Sequence, residues 1–131
     1  MTRTLEHVLL VEDDLDIQEV ARMALDLLGG FRVTTCSSGR EALERAPTAA
    51  PDLILLDYMM PGMDGAATLA ALRAIPLLEK VPVIFVTARA RPEEIGTFRR
   101  LGAVGVITKP FDPIALPGQI RALWEQATSG N

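Results

Sequence analysis

Glu12, Asp13 and Asp14 follow one apolar run, Asp57 a second, Thr87 a third, and Lys109 a fourth. If these runs are neighbouring strands, several carboxylates, a hydroxyl and an ammonium meet in one crevice. Crowded carboxylates repel: like charges about 4 Å apart at an effective dielectric near 20 cost roughly 4 kcal/mol per pair. A cation among them removes that cost. An all-oxygen set with no His or Cys nearby favours Mg²⁺ over zinc or copper. Mg²⁺ keeps water ligands and binds substrate phosphates, which points to phosphoryl chemistry. Asp57 is then the candidate nucleophile, because a carboxylate can form an aspartyl phosphate. Thr87 and Lys109 are donors suited to phosphoryl oxygens. Taken singly, each residue has a plainer use. Asp14 can cap a helix, and a lone lysine is normally solvated. Four strand ends that are all polar and chemically complementary are harder to explain that way.

The site requires a sheet, and the chain supplies one. Short apolar runs at 7–12, 31–36, 52–57, 81–87 and 105–108 read as five strands, with helix-period stretches after each. Residues 52–57 (DLILLD) form the continuous apolar run of a central parallel strand. The alternating FRVTTC at 31–36 suggests an edge.

The first helix covers 15–28, with Ile17, Val20, Ala21, Ala24 and Leu28 on one stripe, and Gly29-Gly30 ends it. Ser38 and Glu41 form a capping box for a helix to about 46. Asp64 can cap a helix at about 65–74. Pro92 opens another to about 101. Pro117 would cost a helix interior one backbone bond. A turn at 113–116 is therefore expected before a last helix at 117–127, with a frayed tail at 128–131. Five βα units imply right-handed crossovers and a doubly wound parallel α/β sheet in the flavodoxin-like order 2-1-3-4-5. Its crevice lies outside the carboxyl ends of the strands, where Glu12, Asp57, Thr87 and Lys109 fall.

The 131 residues fit one domain, 1–131, with its core at about 6–127 and no output domain after the fifth helix. Net charge is −4 and aromatic content 5%, against the basic footprint and stacking surface of nucleic-acid binding. No apolar run reaches transmembrane length, and the first seven residues are too short and polar for a signal peptide. A cytoplasmic protein with no membrane partner is expected. The single cysteine, Cys36, reads as a buried core residue. Trp124 reads as core, Tyr58 as a rim residue, and His7 as surface.

Leu9–Asp14 (LLVEDD), Leu55–Gly65 (LLDYMMPGMDG), Val83–Ala88 (VIFVTA) and Thr108–Phe111 (TKPF) resemble the receiver domains of bacterial two-component response regulators. Order, spacing and residue types match along nearly the whole chain. The resemblance implies a stand-alone, chemotaxis-regulator-like phosphoprotein with Asp57 as phosphoacceptor. It implies Mg²⁺ held by Asp13, Asp57 and the Met59 backbone carbonyl, with Glu12 acting through a metal-bound water. Thr87, Lys109 and the Ala88 backbone N–H would contact the phosphoryl group, and Lys109-Pro110 would be cis. The implied partners are a sensor histidine kinase or histidine phosphotransfer protein, and a downstream protein read by the face of the fourth helix, fifth strand and last helix. Arg91, Arg99 and Arg100 make that region basic.

Val106 stands three residues before the lysine, where many family members have Tyr or Phe. The usual threonine–aromatic coupling is therefore in doubt. A phosphate shuttle or sink is an alternative use of the same site. A small aspartyl phosphatase would need an acid two residues after its nucleophile, and Met59 is there instead. A flavodoxin-like cofactor binder would need a Ser-, Thr- or Gly-rich phosphate loop where Glu12-Asp13-Asp14 stand. A degenerate receiver that only binds partners would not need the full set of site residues.

Overall fold

The computed structural model describes residues 4–129. The apolar runs form β1 (His7–Val11), β2 (Arg32–Cys36), β3 (Leu53–Asp57), β4 (Val83–Thr87) and β5 (Gly105–Thr108). They pair in parallel as β2-β1-β3-β4-β5, the expected order. Every residue of β1, β3 and β4 is buried, as strands covered on both faces require. The edge strand β2 buries only Cys36 fully.

Between the strands run α1 (Leu15–Met23), α2 (Gly39–Ala49), α3 (Gly65–Arg73), α4 (Pro92–Leu101) and α5 (Leu116–Thr128). Successive strand residues point to opposite faces, so the sheet divides two cores. Leu9, Val11, Ile54, Leu56 and Phe85 pack with Leu69 and Leu72 of α3 and Phe98 of α4. Val8, Leu10, Leu53, Leu55 and Ile84 pack with Ala21 of α1 and Ile120 and Trp124 of α5. Trp124 also donates its indole N–H to the Asp52 carbonyl at 3.2 Å.

The expected caps form. Asp14 accepts from the N–H groups of Asp16 and Ile17, Ser38 from Glu41, and Asp64 from Ala67. The Glu41 carboxylate reaches back to the Ser37 N–H at 2.7 Å, one residue before the cap itself. The strands at 7–12 and 81–87 are shorter than expected, ending at Val11 and starting at Val83.

Four expectations need correction. The first helix is not regular to residue 28: Ala24–Leu28 form a π-helical turn. An inserted residue rotates the stripe, leaving Ala21, Ala24 and Leu25 buried and Val20 and Leu28 exposed. The second helix runs past 46 to Ala49 with Pro47 inside its last turn, where the missing N–H removes one bond only. The turn at 113–116 exists, but α5 begins at Leu116 and takes Pro117 into its first turn, where no intrahelical N–H is needed. His7 is buried, not a surface residue; its Nε2 lies 2.7 Å from the Thr34 hydroxyl on β2. Of the frayed tail, Thr128 closes α5, while 130–131 lie outside the described residues.

Candidate functional site

Each site residue ends a strand because an apolar run fixes it there. β1 delivers Glu12 and Asp13 just past Val11, β3 ends on Asp57, β4 on Thr87, and β5 leads into Lys109. Parallel pairing brings these ends to one edge. Asp57 is opposite Val86, and Thr87 is opposite Thr108. The Lys109 N–H donates to the Thr87 carbonyl at 2.8 Å, extending the β4–β5 ladder to the lysine itself.

Glu12, Asp13 and Asp57 offer carboxylate oxygens that lie within 4.8 Å of one another. Lys109 Nζ bridges two of them, 2.8 Å from Glu12 Oε1 and 3.3 Å from Asp57 Oδ1. Glu12, Asp57 and Thr87 are almost fully buried. Burial, and then the neighbouring Glu12 and Asp13 carboxylates, push the Asp57 carboxyl up to about 7, against the pull of Lys109. Burial works to lower the Lys109 ammonium, but the bond and charge of Glu12 and the charge of Asp57 outweigh it and raise it. The ammonium is thus charged, while three acids exceed its one positive charge. A hard divalent cation fits this all-oxygen set and balances it.

The rest of the crevice is backbone and hydroxyl. Met59 N–H donates to Asp57 Oδ1 at 3.3 Å, and Arg89 N–H to the Thr87 hydroxyl at 3.0 Å. The Met59 and Arg89 side chains are exposed, as is Ala88. Lys109-Pro110 is cis. Ala88, Lys109, Pro110 and Phe111 line a groove of ≈ 410 Å³ that continues over Ile17 and Val20 of α1.

The family model of the response regulator receiver domain matches residues 8–121. This chain belongs to that family. Among curated relatives of this receiver domain is a transcriptional regulatory protein CseB of Streptomyces coelicolor, 40% identical over 89% of the chain. Another is the alkaline phosphatase synthesis transcriptional regulatory protein PhoP of Bacillus subtilis, 34% identical over 90%. The chain spans 48% of the length of each, about half. Among solved structures, chemotaxis protein CheY4 of Vibrio cholerae matches with a TM-score of 0.85 at 31% identity, covering 92% of this chain and 99% of that one. A response regulator from Chloroflexus aurantiacus gives 0.82 at 27%, covering 92% and 98%. The receiver fold and its acidic cluster are thus shared ground. No helix among the described residues is long and apolar enough to cross a membrane.

Two features of the receiver site were not read from the sequence. Gln18, one turn into α1, donates its side-chain amide to the Glu12 carbonyl at 2.9 Å and the Cys36 carbonyl at 3.2 Å, bracing β1 against β2 where the acids begin. Its spacing after Glu12, one helical turn beyond the cap, was the available signal. Tyr58 is more than a rim residue. Its ring packs against Phe85 and Phe98, 5.2 and 4.7 Å between centroids. Cys36 is buried as expected, and burial pushes its thiol up to about 11.

Proposed function

We propose that Asp57 accepts a phosphoryl group from a phosphohistidine on a sensor kinase or histidine phosphotransfer protein. The observation that carries the reading is Lys109 between Glu12 and Asp57, with Asp13 completing a three-acid cluster. An Asp57 oxygen attacks phosphorus, the donor's N–P bond breaks, and its electron pair returns to the imidazole nitrogen. Lys109 stays protonated beside the transferred oxygens and offsets their charge. Thr87 has a hydroxyl proton to donate, since its oxygen already accepts from Arg89. The Ala88 N–H is the proposed third donor.

Asp13, Asp57 and the Met59 carbonyl would hold Mg²⁺, with Glu12 acting through a bound water. Mg²⁺ there would neutralise the carboxylates and the developing phosphoryl charge.

A single-domain regulator spanning 1–131 has to be read by a partner protein. Phosphorylation adds about −1.5 to −2 charge to an acidic crevice. Exposed Arg99, Arg100 and Leu101 on α4 support the face of α4, β5 and α5 as the surface a downstream protein reads. The apolar groove over Ile17, Val20 and Phe111, opening beside Lys109, supports a protein as the donor. The chain's net charge of −4 supports neither a nucleic acid nor an anionic membrane as partner of this unit. Relay of the phosphoryl group to a further histidine, as a shuttle or sink, would use the same residues.

Phosphoramidate carries the same N–P bond as phosphohistidine. ³¹P NMR of the protein with phosphoramidate and Mg²⁺ is expected to give a protein-bound acyl phosphate signal. Asp57→Asn and Lys109→Ala should lose it. A signal of wild-type size in Asp57→Asn would end the proposal.

A further inference from the structure

Three rings from three elements meet beside Asp57. Tyr58, the only tyrosine, follows the β3 end directly, Phe85 lies in β4, and Phe98 lies on α4. Tyr58 meets Phe85 edge-on at 83° and Phe98 at 55°, and Phe85 to Phe98 is 5.3 Å. Phe85 and Phe98 are buried and fixed by the core; Tyr58 is half-buried and open on one side.

That open side is a groove of ≈ 210 Å³ lined by Tyr58, Met59, Arg89, Glu94, Thr97 and Phe98. Two of its walls are tied to the crevice. Met59 N–H donates to Asp57 Oδ1, and Arg89 N–H to the Thr87 hydroxyl. Asp57 and Thr87 are the side chains that change partners when a phosphoryl group arrives. Esterification of Asp57 weakens its carboxylate as an acceptor for Met59. A Thr87 hydroxyl turned to a phosphoryl oxygen draws Arg89 with it. The groove between Tyr58 and α4 then changes shape.

We infer that the Tyr58–Phe98 contact transmits the state of Asp57 to α4, as the aromatic element of this chain's switch. The inference rests on Asp57 accepting a phosphoryl group. Val106 cannot serve in that role. It is half-buried against the same core, and a β-branched side chain has one strongly restricted torsion and no ring to swing. Tyr58 has the ring, the free space and direct contact with the helix that carries Arg99 and Arg100.

The test is amide NMR of the ¹⁵N-labelled full chain with Mg²⁺ and beryllofluoride as phosphoryl analogue. In the wild type, amides at Thr87 and Lys109 and amides of α4 from Gly96 to Leu101 should all shift. In Tyr58→Ala the crevice shifts persist and the α4 shifts are lost. Tyr58→Phe and Val106→Ala keep both. Should Tyr58→Ala not fold, Tyr58→Leu, which fills most of the same space, takes its place. Undiminished α4 shifts in the Tyr58 variant overturn the inference, as does their loss in Val106→Ala alone. Wild-type crevice shifts without α4 shifts overturn it while sparing the phosphoacceptor reading. No crevice shifts in the wild type would overturn both.

Discussion

Lys109 Nζ lies 3.3 Å from Asp57 Oδ1, the same oxygen that accepts the Met59 N–H. The ammonium therefore reaches the proposed phosphoacceptor and Glu12 at once, 2.8 Å from the latter. In this arrangement one positive charge partly compensates three acids, and the site has room for another cation.

Removal of that charge gives the first expectation. Lys109→Met leaves Glu12 and Asp57 buried without their donor. An unsatisfied buried group of this kind costs about 1–3 kcal/mol, more when charged. Chemical denaturation in EDTA should show a loss of at least that order. Added Mg²⁺ should restore part of it, because the cation meets the same carboxylates. Equal stability of variant and wild type in EDTA would mean that the lysine does not serve the cluster.

Asp57→Asn should have the opposite effect without metal. The folded Asp57 carboxyl sits at about 7, above its ordinary 3.8. The folded protein thus holds the proton more tightly than the unfolded chain does. As pH rises from about 4 to about 7, wild-type stability falls on this account, and above 7 the deficit is complete. Asparagine removes it. Thermal melts in EDTA should place Asp57→Asn above the wild type at pH 8, with the gap closing towards pH 4. With Mg²⁺ the gap should narrow or reverse, since only the wild type offers the full anionic set. A variant less stable than the wild type at pH 8 in EDTA would contradict the charge assignment.

The strands and most of the site were legible because one physical rule fixes both. An apolar run long enough for a central strand ends where a polar residue must meet water or a ligand. Four such ends in one chain place Glu12, Asp57, Thr87 and Lys109 on a single sheet edge. What escaped depends on partners distant in sequence. His7 looked like a surface residue because nothing within several residues explains a buried imidazole; Thr34, 27 residues on, does. The rotation that buries Leu25 and exposes Val20 and Leu28 comes from a π turn, and a 3.6-residue period cannot reveal an inserted residue. Tyr58 was placed at the rim because its contacts, Phe85 and Phe98, come from the next two elements.

His7 gives a pH expectation at the opposite end of the sheet. Burial, then the Arg32 charge, hold its imidazole below the ordinary 6.5, against the Ala49 carbonyl and Asp52. Below pH 6.5 the unfolded chain takes up a proton that the folded one does not. The contribution of neutral His7 is complete above 6.5 and is lost as pH falls towards the lower folded value. His7→Gln should therefore flatten the decline in melting temperature between pH 7 and pH 5 relative to the wild type. Parallel curves for the two proteins would rule the contribution out.

Gly65 opens α3 directly under the site. A Cβ there would lie 2.6 Å from the Tyr58 Cα and 3.0 Å from the Asp57 carbonyl oxygen. Both are backbone atoms and cannot turn aside as a side-chain end does. Gly65→Ala should cost about 1–3 kcal/mol, the usual range for forced overpacking. It should also slow labelling of Asp57 by moving the β3 end. Denaturant titration checks the first effect and phosphoramidate labelling the second. An alanine variant of unchanged stability would show that β3 and α3 separate more easily than their packing indicates.

The central claim is that Asp57 is esterified with Glu12, Asp13 and Lys109 around it, and that a divalent ion is required. Its most direct test is acetyl phosphate labelling with and without Mg²⁺, followed by intact-mass measurement and peptide mapping. The expected result is one phosphoryl group per chain, found on the peptide containing Asp57, present with Mg²⁺ and lost in EDTA. Label on another residue, or equal labelling in EDTA, would contradict the account.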